Sequence, residues 1–184
     1  YSEEMEHDAC GVGLIASTEG KKSRKVVEYG IEALKAVWHR GAVDADGKTG
    51  DGAGIHVEIP KDFFIEKIEV TGHTHDNSEI CVGMIFLPRN DYAAQESCKT
   101  IVESELTKND FSIYGWRQVP VNPKVLGEKA FQTMPEIIQV LFKSNNPELL
   151  NKDLERKIYE TRRIIENKAF KISLNNFYIC SLSS

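Results

Sequence analysis

The sequence predicts a single domain that mixes α-helices with β-strands. Apolar runs of strand length alternate with stretches whose apolar residues recur at helical spacing. A chain of 184 residues, with 41% hydrophobic and 28% charged residues, fits one globular domain. No uninterrupted apolar stretch approaches the roughly 20 residues that a membrane span requires, so we expect no membrane association.

The chain is predicted to begin as a strand, a turn and a helix. A short buried strand is expected from Cys10 to Ala16, and Ser23 is placed to cap a helix whose apolar positions run from Val26 to Val37. Residues 39–54 hold five of the 13 glycines and cannot form an ordinary helix or strand interior. This segment is therefore predicted to be a loop, and such loops often carry function.

The remaining elements follow from the same patterns. Asn90 is the expected N-cap of a helix, residues 71–78 are a polar connection, and residues 120–133 are expected to be irregular. The order of elements leaves parallel and antiparallel pairing open. Strands are predicted at 55–59, 80–87, 111–117, 137–142 and 177–182, and helices at 61–68, 91–106 and 151–169.

Charge and cysteine content exclude several classes of protein. The net charge is -5 and basic residues are interleaved with acids, which argues against a nucleic-acid partner. Cys10, Cys81, Cys98 and Cys180 show no CxxC spacing, so neither a disulfide framework nor a zinc site is expected. A reducing compartment, the cytoplasm or a plastid, is the simpler interpretation. Cys81 and Cys180 lie in apolar strands and are expected to be buried and unreactive.

Three ligand-binding motifs are considered and set aside. Gly47-Lys48-Thr49 lacks the earlier glycine of a phosphate loop, since position 42 is Ala, and the segment follows a helix instead of a strand. The aspartates from Asp44 onward lack the calcium-binding glutamate at the twelfth position, where Ile55 stands. Residues 73–76, His-Thr-His-Asp, are better explained as a polar surface loop than as metal ligands. No metal site is predicted in this chain.

Cys10 would be a core thiol on composition alone, but its surroundings favour a nucleophile. Ala9, Gly11 and Gly13 leave the backbone open on both sides. The motif Cys-Gly-Val-Gly-Leu-Ile-Ala at 10–16 is followed by His-Arg-Gly-Ala at 39–42 and by Asp-Gly-Lys-Thr-Gly-Asp-Gly-Ala-Gly. Together these motifs resemble the class-II glutamine amidotransferases, and among them the N-terminal glutaminase domain of glutamate synthases.

The resemblance implies an α+β fold of the N-terminal-nucleophile hydrolase type. This fold is a four-layer αββα sandwich, with two mostly antiparallel sheets between helices, and the chain would hold part of it. Residues 1–9 would be a propeptide-like leader and residues 10–184 the front part of the amidotransferase domain. Cleavage between Ala9 and Cys10 would free an α-amino group with a pKa near 8, which accepts the thiol proton.

The resemblance also implies roles for individual residues. Cys10 would attack the glutamine carboxamide, and Arg40 would bind the substrate α-carboxylate through its guanidinium fork. From its position, His39 is expected to be a packed or hydrogen-bonding neighbour of Arg40 and not a base. The oxyanion donors and the residue that holds the α-amino group are expected beyond residue 184, so this fragment alone is expected to be inactive. The supporting loop comprises His39, Gly41, Gly50, Asp51 and Gly52.

In the full-length enzyme the resemblance implies FMN and an iron–sulfur cluster, with ammonia passed to 2-oxoglutarate in a downstream synthase domain. The implied partners are glutamine, that synthase domain, and either a small NAD(P)H-oxidising subunit or ferredoxin. Three alternatives stay open: another class-II amidotransferase, a non-catalytic module of the same fold, and an autoprocessing hydrolase. The last would have no need of Arg40.

Overall fold

The computed structural model describes residues 11–38 and 41–184, which divide into two compact units. The first unit comprises the chain up to Glu58 together with Pro123–Gln132, and the second comprises Ile59–Asn122 and Thr133–Ser184. The helices are α1 (Arg24–Ala36), α2 (Lys61–Val70), α3 (Tyr92–Lys108), α4 (Glu128–Thr133) and α5 (Asn151–Lys171). The strands are β1 (Cys81–Leu87), β2 (Phe111–Gln118), β3 (Glu136–Ser144) and β4 (Tyr178–Ser183).

Helix α1 is the main regular element of the first unit. The Ser23 hydroxyl accepts a hydrogen bond from the Lys25 N–H at 3.2 Å, which satisfies one of the free donors of the first turn. The predicted helix and its cap are therefore confirmed. Residues 120–133, predicted to be irregular, instead contain a 3-10 turn at Pro123–Val125 and the short helix α4.

Two predicted strands of the first unit are wrong. Residues 11–16 and 55–59 form no strand, and Val12 and Ile55 are exposed. A strand needs a neighbour for its backbone hydrogen bonds, and the described residues supply none to either segment. The described part of this unit holds one isolated bridge, between Val43 and Gly50.

The second unit is built on a four-stranded sheet with the order β2-β3-β1-β4, in which every pair is antiparallel. The four strands match the sequence-based predictions within one or two residues. The α+β class and the antiparallel pairing implied by the family resemblance are confirmed. The cap of α3 is one residue later than predicted, because the Asp91 carboxylate, and not Asn90, accepts from the Ala94 N–H at 2.9 Å.

Helices cover both faces of this sheet. Helices α3 and α5 pack together on one face, where α5 buries residues at intervals of three or four positions from Leu154 to Ala169. The opposite face is covered by α2, whose Phe64 and Ile68 pack with Val82, Tyr114 and Leu141 of the sheet. The core therefore lies on both sides of β1 and β3. In the part of the chain that the structure describes, no helix has the length and apolar character needed to cross a bilayer.

Candidate active site

The predicted site residues divide into described and undescribed ones. Ala9, Cys10, His39 and Arg40 lie outside the described residues. The other members of the predicted supporting loop lie within the first unit: Gly41, Gly50, Asp51 and Gly52. The described part of the candidate site therefore consists of the segments that flank the cysteine and the arginine.

The segment after Cys10 lies beside the end of α1. A Cβ built on Gly11 would be 3.9 Å from Cγ2 of Val37, the C-cap residue of that helix. Val37 stands three residues before Arg40, so the chain next to the cysteine and the chain next to the arginine are in van der Waals range. Nothing lies within 4 Å of the corresponding position at Gly13, and residues 11–16 are exposed. The side of this segment is open to a small ligand.

A hydrogen bond links the described residues on either side of positions 39 and 40. The Gly41 N–H donates to the Trp38 carbonyl at 2.9 Å. The Asp51 carboxylate accepts from the Ala42 N–H at 2.8 Å, which fixes the backbone two residues after the arginine. Two of the predicted supporting residues, Gly41 and Asp51, therefore meet at this turn.

The rest of the glycine loop is a small hairpin. Val43 and Gly50 form an antiparallel bridge, and the Asp44 N–H donates to the Thr49 carbonyl at 2.7 Å. A Cβ at Gly50 would lie 3.1 Å from the Ala42 carbonyl oxygen, so the two sides of the hairpin approach closely. Gly52 shows no comparable constraint, because nothing lies within 4 Å of its Cβ position. The loop is ordered by its own hydrogen bonds.

Asp46 is a residue of this loop that the sequence suggested only as a calcium ligand, an interpretation that was set aside. Its Oδ2 accepts from the Thr49 hydroxyl at 2.6 Å and from the Glu128 N–H at 3.0 Å. Its Oδ1 accepts from the N–H groups of Thr49 and Lys48 at 2.7 and 2.9 Å. These hydrogen bonds, those from the Thr49 hydroxyl and N–H foremost, hold the pKa of Asp46 well below its usual range. The sequence Asp-Gly-Lys-Thr predicts an Asx-type turn, but nothing in the local sequence predicts the contact with Glu128.

The three described cysteines all belong to the second unit, and two of them are unsuited to nucleophilic chemistry. Burial raises the pKa of Cys81 to about 12 and that of Cys98 to about 11. Cys180 is exposed, contrary to the prediction that it is buried, because β4 is an edge strand and its neighbour Ile179 takes the buried position.

The described residues do not fit an iron–sulfur cluster. Such a cluster needs several cysteine thiolates gathered at one place. Across residues 11–38 and 41–184, no three His, Cys, Asp or Glu side chains are gathered so that they would hold a metal ion. No step of the chemistry below is assigned to a metal centre in this chain.

The described residues place an exposed glycine segment, which follows position 10, beside Val37, three residues before position 40. Residues 10–184 match the family described as class-II glutamine amidotransferases, and the chain belongs to this family.

Three individual proteins of this family are similar to the chain over nearly its whole length. The chain is 54% identical over its whole length to "Glutamate synthase [NADPH] large chain" of Azospirillum brasilense. It is 40% identical over 98% of its length to "Ferredoxin-dependent glutamate synthase" of Pyropia yezoensis. It is 39% identical over 97% to "Ferredoxin-dependent glutamate synthase 1, chloroplastic/mitochondrial" of Arabidopsis thaliana. The chain spans only 12%, 12% and 11% of the length of these three relatives.

Proposed function

We propose that this chain is the front part of the glutaminase domain of a glutamate synthase, and that the full-length enzyme hydrolyses glutamine through a thioester on Cys10. The family match over residues 10–184 and the names of the relatives support this proposal. The structural observation that carries it is the approach of Gly11 to Val37, which brings the neighbours of Cys10 and Arg40 together. A nucleophile and a carboxylate-binding cation must be close if both are to contact one small substrate.

Removal of residues 1–9 gives Cys10 a free α-amino group. This amine, with a pKa near 8, takes the thiol proton, and the thiolate attacks the carboxamide carbon of glutamine. The tetrahedral intermediate collapses as the C–N bond breaks, and ammonia leaves with the proton that the amine returns. Water then attacks the thioester, releases glutamate and restores the thiol. The donors that stabilise the oxyanion are expected beyond residue 184.

Arg40 is proposed to bind the α-carboxylate of glutamine. A guanidinium group stays charged at every relevant pH and presents two parallel N–H groups to a carboxylate. The Gly41 to Trp38 hydrogen bond and the Asp51 to Ala42 hydrogen bond fix the backbone around it. Glutamine would then be held at its α-carbon end while its side-chain amide reaches Cys10.

The four-layer sandwich is the proposed complete fold. Helices α3 and α5 would be one outer layer and the sheet β2-β3-β1-β4 one of the two inner layers. On the opposite face α2 covers only part of the sheet, and Met84, Phe86 and Ile137 are half-buried there. An incompletely covered apolar face suits packing against a second sheet.

In the full-length enzyme, ammonia would pass to a synthase domain of the same polypeptide and be added to 2-oxoglutarate. FMN and an iron–sulfur cluster would supply the reducing electrons there, outside the described residues. The electron donor would be a small NAD(P)H-oxidising subunit or ferredoxin, and the higher identity to the NADPH-type relative favours the former. Relatives named for plastids make a plastid compartment as acceptable as the cytoplasm.

Covalent trapping tests the nucleophile. The full-length enzyme is treated with a glutamine analogue that carries an electrophilic ketone in place of the amide, and the N-terminal peptide is examined by mass spectrometry. The expected result is a chain that begins at Cys10 and carries one adduct on that residue. An uncut leader with no adduct at Cys10 supports the non-catalytic alternative instead.

Steady-state kinetics test Arg40. Arg40→Ala should raise the glutamine KM by roughly a hundredfold, since a charge-assisted contact with the substrate carboxylate is lost, while Arg40→Lys restores part of the affinity. Arg24→Ala is the matched control, because Arg24 is exposed on α1 and pairs with Glu28 one turn away. An unchanged KM in Arg40→Ala contradicts the carboxylate assignment and favours a hydrolase that does not recognise the amino-acid end.

A further inference from the structure

One carboxylate joins two distant segments of the first unit. Asp46 lies at the tip of the glycine hairpin and accepts four hydrogen bonds, three from Lys48 and Thr49 and one from the backbone of Glu128. Glu128 is 82 residues further along the chain and opens helix α4. The carboxylate thus fastens the hairpin tip to a segment that is remote in sequence.

The contact is too close for any side chain at position 127. A Cβ on Gly127 would collide with the Thr49 hydroxyl and with Oδ2 of Asp46, and would lie 2.5 Å from the Thr49 nitrogen. Real Cβ atoms essentially never come within 3.0 Å of another heavy atom in this way. Two backbones therefore meet directly at this point, and glycine is required for the approach.

The hairpin is held at both ends. At its base, Asp51 binds the Ala42 N–H two residues after Arg40, and at its tip, Asp46 binds Thr49 and Glu128. Lys129 adds an ion pair with Asp44 at 2.6 Å. Both ends of the hairpin are therefore held by carboxylates, and the lower one binds the backbone at Ala42.

We propose that Asp46 is a positioning residue for glutamine hydrolysis, which holds the hairpin tip on Gly127 and Glu128 and thereby fixes the backbone that presents Arg40. This inference rests on the proposed function. Asp46 contacts no substrate in this account, and its effect passes through the Val43–Gly50 bridge to the turn at Gly41.

A second aspartate provides a matched control. Asp76, in the second unit, accepts from the Ser78 hydroxyl at 2.6 Å, from the Ser78 N–H at 3.3 Å and from the Tyr114 hydroxyl at 3.4 Å, and pairs with Lys143. Like Asp46, it is a loop carboxylate that ties its own segment to a distant one. It differs in belonging to the second unit, whereas the glycine loop belongs to the first.

The experiment compares Asp46→Asn with Asp76→Asn in the full-length enzyme, at a temperature where both remain folded by circular dichroism. Asp46→Asn should lower glutamine-dependent kcat/KM by roughly tenfold, mostly through KM, because a displacement of about 1 Å is costly in an oriented site. Its ammonia-dependent turnover should stay within about twofold of the parent enzyme. Asp76→Asn should leave both activities within about twofold of the parent enzyme.

Two further pairs keep the test decisive if Asp46→Asn folds poorly. Thr49→Val removes the hydroxyl that donates to Asp46 and should reproduce the defect. Thr49→Ser keeps that hydroxyl and should show no defect. Gly127→Ala should reproduce it from the other side, whereas Gly30→Ala should have no effect, since nothing lies within 4 Å of a Cβ there.

Two results overturn the inference: a glutamine-specific loss in Asp46→Asn no greater than in Asp76→Asn, or an equal loss of glutamine- and ammonia-dependent turnover. The Cys10→Ala variant, measured in the same experiment, distinguishes a failure of the proposed function from a failure of the role given to Asp46. If Cys10→Ala still uses glutamine, the proposed function itself fails. If Cys10→Ala is inactive with glutamine and Asp46→Asn is normal, only the role of Asp46 is wrong.

Discussion

Glu105 on α3 and Lys168 on α5 form an ion pair of 2.5 Å across the seam between the two helices. Glu105 is only 4% exposed, and its carboxylate also accepts from Lys108 at 3.1 Å. The Lys168 hydrogen bond is the main reason that the pKa of Glu105 lies below its usual value. A buried acid at a helix contact is tolerated here because two cations reach it from the surface.

Lys168→Met is therefore predicted to destabilise the protein. The variant keeps the length of the side chain but leaves Glu105 with Lys108 as its cation, and since Lys168 is itself half exposed, we expect a loss of about 1 kcal/mol of unfolding free energy. Arg156→Met, which removes a fully surface pair with Glu160, should cost less than about 0.5 kcal/mol. Urea denaturation measures both. Equal losses of unfolding free energy in Lys168→Met and Arg156→Met would contradict a stabilising role for the Glu105–Lys168 ion pair.

Gly83→Ala is predicted to strain the centre of the sheet. A Cβ at Gly83 would lie 2.6 Å from Leu182 Cδ1 and 2.7 Å from Val140 Cγ1, so side chains of both neighbouring strands must move. Overpacking of this kind costs about 1 to 3 kcal/mol. The midpoint of thermal unfolding should fall clearly for Gly83→Ala. It should not fall for Gly30→Ala on α1, because no described atom lies within 4 Å of a Cβ there and alanine favours the helix. A neutral Gly83→Ala would mean that the strands are packed less closely than described.

The described cysteines are predicted to differ in reactivity. In a Cys10→Ala background at pH 8, Cys180 should react with iodoacetamide within minutes, while Cys81 and Cys98 remain unmodified. The reason is that burial raises the pKa of Cys81 to about 12 and of Cys98 to about 11, so almost no thiolate forms. Peptide mapping by mass spectrometry gives the order of modification. Labelling of Cys81 before Cys180 in the native state would contradict the burial pattern.

Acid should weaken the hydrogen bonds accepted by the two loop carboxylates, Asp46 and Asp76. The pKa of Asp76 is lowered, chiefly by the Lys143 hydrogen bond and then by Ser78, as that of Asp46 is by Thr49. A lowered folded pKa contributes stability that is present above the unfolded pKa, near 4, and is lost as pH falls through the folded value. Unfolding free energy should thus fall below about pH 4, with a shallower fall in Asp76→Asn than in the parent protein. Parallel curves for the two proteins would count against this assignment.

Much of the second unit was predictable because its signals are local. The apolar run of β1 and the helical spacing of α5 each depend on residues near one another in sequence, as does the Ser23 cap in the first unit. The antiparallel pairing came from the family resemblance, since the pattern of elements leaves it open. The exposed Cys180 was missed because an edge position depends on the final strand order.

The first unit shows where local reasoning fails. Residues 11–16 and 55–59 have strand-like composition, but a strand forms only with a partner, and the described residues provide none. The tie between Asp46 and Glu128 joins positions 82 residues apart, and no local pattern predicts such a contact. The glycine loop itself was identified by its composition, while the role of Gly127 emerged only from the close approach of two backbones.

The central claim is that Cys10 releases ammonia from glutamine for a downstream acceptor. It is tested most directly by measuring glutamine-dependent and ammonia-dependent glutamate formation in the full-length enzyme with Cys10→Ala, using Cys180→Ala as the control thiol. The account predicts that Cys10→Ala loses glutamine-dependent turnover and keeps ammonia-dependent turnover, and that Cys180→Ala keeps both. Glutamine-dependent turnover that survives in Cys10→Ala would contradict it.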